Sequence, residues 1–160
     1  MSLQWQKSGN MTTRSFVEAL ASDKPAADRA DKMSLYGWLI GRWTMDATLH
    51  LDNGGTHRRS GENVWILPGG FYGTTLRVYD PNIDAWHILW SDPMRQFYTR
   101  QIGRAQGADI VQLGHNDAGE AVRWSFTAIK PDSFRWLGER SRDDGKSWQL
   151  QAEFLARRIP

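Results

Sequence analysis

From Gly41-Arg42-Trp43 to Arg158 the chain alternates short, tryptophan-bearing apolar runs with tight-turn residues, and this punctuation constrains the fold more than any other feature. The turn signals are Asp52-Asn-Gly-Gly55, Leu67-Pro-Gly-Gly70, Asp80-Pro-Asn-Ile-Asp84, Ser91-Asp-Pro93, Gly103 with Gly107, Asn116-Asp-Ala-Gly119, Lys130-Pro-Asp132 and Asp143-Asp-Gly-Lys146. Glycine and asparagine supply the positive φ that tight hairpins need, while proline and aspartate preset or cap a turn. The intervals hold about nine or ten strands of roughly five to ten residues, the regular spacing of an all-β barrel or sandwich. No ladder of helical segments lies between them, which excludes a parallel α/β sheet. The expected fold is mainly β, an antiparallel up-and-down barrel whose interior is filled or holds one small ligand.

Ahead of the strands, residues 12–33 read as helical. Thr12 or Thr13 caps the start, Phe16-Val17 and Ala19-Leu20-Ala21 give an apolar stripe, and Pro25 breaks or restarts the helix before Ala26–Met33. The chain thus divides into a helical segment, 1–35, and a barrel, 36–160. A length of 160 residues suffices for one core without covalent staples. The absence of cysteine removes disulfides, thiolate metal sites and a cysteine nucleophile. Fifteen of the twenty cationic residues are arginine, but they are scattered and the net charge is only +2, so no nucleic-acid partner is expected. No apolar run resembles a signal peptide or spans a bilayer, which leads to the expectation of a cytoplasmic protein with no membrane partner.

Ser141-Arg-Asp-Asp-Gly-Lys-Ser-Trp148 matches the Ser-x-Asp-x-Gly-x-x-Trp pattern of an Asp box. Its chemistry is structural: the serine and aspartate side chains bond the turn backbone, the glycine takes positive φ, and the aromatic packs beneath. One copy in so short a chain stabilises a hairpin and gives no ground for glycosidase activity.

Gly41-x-Trp43, after a helical segment and at the start of the first strand, resembles the Gly-x-Trp signature of the lipocalin and calycin superfamily. The resemblance implies that Trp43 closes one end of a calycin-like barrel and that an arginine of the last strand, Arg158 or Arg157, packs over it. Residues 36–158 are also similar to small bacterial lipocalin-like proteins of unknown function, in Tyr79-Asp-Pro81, Trp86-x-x-x-Trp90, Arg123-Trp-Ser-Phe126 and the Asp box. The nitrobindin-like haem proteins open on Gly-x-Trp too, but their proximal histidine lies on the final strands. Here no histidine follows His115 and Gln149 or Gln151 stands in that region, so no haem and no other cofactor is expected.

Alternate strand residues face opposite sides of a sheet. With Trp43 inward, Met45, Ala47 and Leu49 follow it. The matching apolar sets are Leu76 with Val78, Trp86 with Ile88 and Trp90, Val122 with Trp124 and Phe126, Phe134 with Trp136, and Trp148 with Leu150, Ala152 and Phe154. On this parity Trp90, Trp124 and Trp136 line an aromatic pocket and Tyr98 with Arg100 are its polar anchors, a set suited to a small, partly aromatic or acyl-like molecule. The opposite parity puts Arg77, Arg123, Arg135 and Glu139 inside as an ionic cluster, with Arg123 paired to Glu139, and frees tryptophans for a homodimer interface.

A hairpin pairing Leu51 with Thr56 would set His50 opposite His57, two ligands where zinc wants three or four, so no metal is expected. No nucleophile elbow and no phosphate loop is present. The expected role is therefore binding rather than catalysis. The alternatives are a cofactor-free isomerase or lyase, using Glu139 and Tyr98 with Arg123 or Arg100, and a homodimeric interaction module with a filled barrel.

Overall fold

The computed structural model describes residues 30–65, 74–92 and 96–160. A helix, α1 (Ala30–Gly37), precedes nine strands: β1 (Gly41–His50), β2 (Thr56–Trp65), β3 (Thr74–Asp80), β4 (Ala85–Asp92), β5 (Phe97–Gln106), β6 (Asp109–Asn116), β7 (Ala121–Thr127), β8 (Ser133–Ser141) and β9 (Gln149–Arg158). The helical expectation over residues 12–29 and the turn at 67–70 lie outside the described residues. Among the described residues no helix is long and apolar enough to cross a membrane.

The strands form one antiparallel sheet in the order β2-β1-β9-β8-β7-β6-β5-β4-β3. Sequential hairpins account for every neighbour pair except β1 with β9, which joins the two ends of the up-and-down run, Trp43 lying opposite Arg158. Within the described residues β2 and β3 are the sheet's edges, so the expected closed barrel is met only in part: the meander is there and the last junction is not. The sheet is nevertheless strongly curled. The Arg77 guanidinium of β3 lies 6.0 Å from the Phe126 ring of β7. Four strand spacings separate those two strands, about 19 Å in a flat sheet.

The lower half of the concave face is packed shut. Trp43, Trp86, Ile88, Ile110, Phe126, Phe134 and Ala156 come from β1, β4, β6, β7, β8 and β9, and Tyr36 and Leu39 come down on them from α1 and the residues after it. Tyr36 meets Trp86 edge-on at 5.2 Å, and Trp38 meets Trp43, Phe126 and Phe134 at 6.2, 5.8 and 5.2 Å. Lys32 Nζ donates to Asp84 at 2.8 Å and Tyr79 donates to the same carboxylate at 2.6 Å, tying α1 to the β3–β4 turn.

Arg158, rather than Arg157, covers Trp43, its guanidinium 4.2 Å from the ring. It donates to the carbonyls of Pro131, Ile40 and Trp38 at 3.0, 2.8 and 2.6 Å. Trp43 itself donates Nε1–H to the Leu39 carbonyl at 2.8 Å. A planar fork that stacks while it donates suits arginine alone.

The Asp-box turn is built as the motif requires. Asp143 accepts from the Ser141 hydroxyl (2.7 Å), the Ser147 amide (2.8 Å) and the Ser147 hydroxyl (2.6 Å), while Gly145 has φ +85°. The Ser147 and Ser141 hydrogen bonds hold the Asp143 carboxyl down at about 2. Because the folded carboxylate titrates below its ordinary 3.8, its contribution is complete above that value and is lost as pH falls toward about 2. The difference in unfolding midpoint between wild type and Asp143→Asn should therefore shrink from about pH 5 to about pH 2; a difference constant over that range would refute the carboxylate's role.

Candidate functional site

The upper half of the concave face is lined differently from the lower. Trp90 (β4), Trp124 (β7), Trp136 (β8) and Phe154 (β9) form a half-buried aromatic row, with ring separations of 6.0, 5.4 and 4.5 Å, the last pair stacked. The three tryptophans expected to line a pocket are thus brought together. Trp90 and Trp124 meet although β5 and β6 run between their strands. The two indoles therefore lean over the middle of those strands, which carry short or polar residues there: Thr99, Gln101 and Gly103, then Gln112 and Gly114, with Phe97 and Ile110 further along on the same face.

That polar floor is deeply buried, with Gln101 1% exposed and Gln112 0%. Gln112 Nε2 donates to the Tyr36 hydroxyl at 3.0 Å. The hydroxyl sits where a Cβ on Gly103 would overlap it, so an alanine there would push the Tyr36 side chain back. Among the described residues, Gln101 Oε1 and Nε2, Gln112 Oε1 and Thr99 Oγ1 have no hydrogen-bond partner. A buried amide left unmet costs about 1–3 kcal/mol, so such residues call for a partner. Beside this floor Arg77 packs on Tyr36 at 5.0 Å, and burial lowers its pKa to about 10, which keeps it charged at neutral pH. Burial likewise raises the Tyr36 hydroxyl.

Several expected placements are corrected. Tyr98 and Arg100 do not share the concave face with the tryptophans: Thr99 pairs with Trp90, which turns both neighbours of Thr99 to the convex face, although Trp90 also borders the groove that they line. There Tyr98, 47% exposed, and Arg100 border an open groove of about 470 Å³ with Leu76, Leu89, His115 and Asp117. Leu76 and Val78 are also convex, 52% and 47% exposed, because Arg77 pairs with Ile88 and takes the inward position. Trp148 and Leu150 leave the concave face through a β-bulge: Gly138 pairs with Ala152 but Glu139 pairs with Leu150, so Gln151 is the extra residue and the parity changes there.

Arg123 and Glu139 do pair, in a bidentate contact of 2.6 and 2.8 Å with Arg123 lying 4.3 Å over Trp148, but on the convex face. Arg135 pairs there with Glu153 at 2.5 Å, and Arg77 is across the sheet from both. Glu139 and Tyr98 are not assembled as an acid–base pair, since the register carries Glu139 through Arg123 and Leu113 to Ile102, four residues along β5 from Tyr98. His50 pairs with Thr56 and Leu49 with His57, one residue from the expected register, so the two histidines take opposite faces. Among the described residues no three potential ligands gather to hold a metal ion.

No protein-family model matches the chain, and a search of curated proteins returns no match.

Proposed function

We propose that the chain binds a small, partly aromatic or acyl-like molecule on the upper concave face of its curled sheet, in the manner of a lipocalin-like barrel. The observation that carries this reading is the contrast within one face. Below, the aromatics are fully packed by α1, whereas above, Trp90, Trp124, Trp136 and Phe154 make a continuous row that is only half-buried. Rigid aromatic walls beside a few placed polar groups are what small-ligand sites usually offer. The Gly-x-Trp opening, with Arg158 over Trp43, supports the calycin-like form.

Titration with 2-naphthol and with decanoic acid should quench tryptophan fluorescence. Trp124→Ala, at the centre of the row, should weaken that binding about tenfold or more while the far-ultraviolet spectrum is retained. Absence of quenching by either compound, together with no bound mass in native mass spectrometry of protein from its own cells, would overturn the reading.

Self-association through the convex face is a second reading. It is favoured by Leu76 and Leu89, which pair across β3 and β4 and are 52% and 41% exposed, beside the sheet edge. Sedimentation should then show a dimer that Leu76→Glu converts to monomer; a wild-type monomer at micromolar concentration would exclude it.

A further inference from the structure

The hydrogen-bonding groups of the floor narrow the ligand class, on the premise that the concave face binds a ligand. Gln101 offers both halves of its amide, Nε2–H and Oε1, and Gln112 adds a second acceptor in Oε1; none of the three has a partner among the described residues. Because both ends of the Gln101 amide are unmet, its inventory is the same whichever way the amide is turned. The two glutamines are close to each other. Gln101 pairs with Gly114 and Gln112 with Gly103, so they are diagonal neighbours on adjacent strands, about 7–8 Å apart at the backbone and within reach of one small head group.

A ligand that satisfies this floor must donate as well as accept. A carboxylate brings acceptors only and would leave Gln101 Oε1 and Gln112 Oε1 unmet, while an acyl chain brings neither. The adjacent donor and acceptor of one amide are matched in two-point fashion by a lactam, a carboxamide or an amino-substituted ring nitrogen. The row of Trp90, Trp124, Trp136 and Phe154 favours a flat body on that head. We infer that the site reads a planar heterocycle with adjacent N–H and C=O, or their amino–imine equivalent, through the Gln101 amide, with Gln112 Oε1 accepting a second donor.

The test uses matched probes on the intact protein: quinolin-2(1H)-one, its N-methyl derivative, 2-naphthoate and decanoate, each followed by tryptophan quenching. Quinolin-2(1H)-one should bind about tenfold or more tightly than the N-methyl compound, which keeps the shape and loses the donor. In Gln101→Met, a substitution of similar length that removes the amide, the two should bind alike, with the thermal midpoint reporting that the variant is folded. If that variant does not fold, the matched pair on wild type still decides. Equal binding of the two quinolinones to wild type, as expected where Gln101 is met by bridging water, overturns the inference. So does tighter binding of 2-naphthoate or decanoate, and both outcomes leave the binding reading standing. Failure of all four probes to bind overturns the inference, and joined with the absence of a bound mass in native mass spectrometry it overturns the binding reading as well.

Discussion

Trp43→Ala is expected to destabilise the fold by ~3–5 kcal/mol, the range of a fully buried tryptophan removed without collapse of its site. Trp43 is 0% exposed, and its ring is held on every side: edge-on to Trp38, 4.9 Å from Phe134, and under the Arg158 guanidinium at 4.2 Å. The loss spreads beyond the cavity. Arg158 stacks on that ring while bonding three carbonyls from two loops, so the variant frees the clamp that joins the β9 end to the start of β1 and to the β7–β8 turn. In a domain of this length the change should lower the thermal midpoint by on the order of 10 °C. Urea unfolding of wild type, Trp43→Ala and Trp43→Phe measures it, with the phenylalanine variant recovering part of the loss. A shift below about 1 kcal/mol for the alanine variant would mean that the ring is not the packing centre of the closed end.

The sequence was most legible where a strand's apolar residues outnumber the demands of its outer face. Trp86-x-Ile88-x-Trp90, Val122-x-Trp124-x-Phe126 and Phe134-x-Trp136 read inward, and inward they lie. Turn chemistry at Asp80–Asp84, Asn116–Gly119 and Asp143–Lys146 placed the hairpins for the same reason, because few residue types accept those backbone angles. Parity failed where polarity and side are inverted. In β3 the leucine and valine face out and the arginine faces in, because Arg77 has Tyr36 and Phe126 to lie on, and neither neighbour is near it in sequence.

On β5 the buried residues are Thr99, Gln101 and Gly103, a set that no hydrophobic pattern selects. A signal was present all the same. The two-residue turn Gly107-Ala108 fixes Gln106 opposite Asp109, and parity carried from core residue Ile110 runs through Gln112 and Gly103 to Gln101. The floor of the candidate site was therefore accessible through hairpin register and not through hydropathy. The bulge at Gln151 had no such signal, since one inserted residue changes parity without changing composition.

Gly114 makes the dependence of the site on backbone geometry testable. It lies opposite Gln101, and a Cβ built on it would overlap the Arg100 carbonyl oxygen and come within 2.8 Å of Gln101 Cα. Both are main chain, so no rotamer change relieves the contact, and the β5–β6 ladder must separate. Overpacking of side chains costs about 1–3 kcal/mol, and a clash with two backbone atoms in a central strand pair belongs at or above the top of that range, ~3 kcal/mol. Gly103→Ala is the instructive contrast, because its Cβ overlaps only the hydroxyl end of Tyr36, a side chain that can withdraw. Gly114→Ala should therefore lower the unfolding midpoint further than Gly103→Ala. Since the shift displaces Gln101 itself, any folded Gly114→Ala protein should also bind quinolin-2(1H)-one and its N-methyl derivative equally. Equal stability of Gly114→Ala and wild type would contradict the close β5–β6 approach on which the buried position of Gln101 depends.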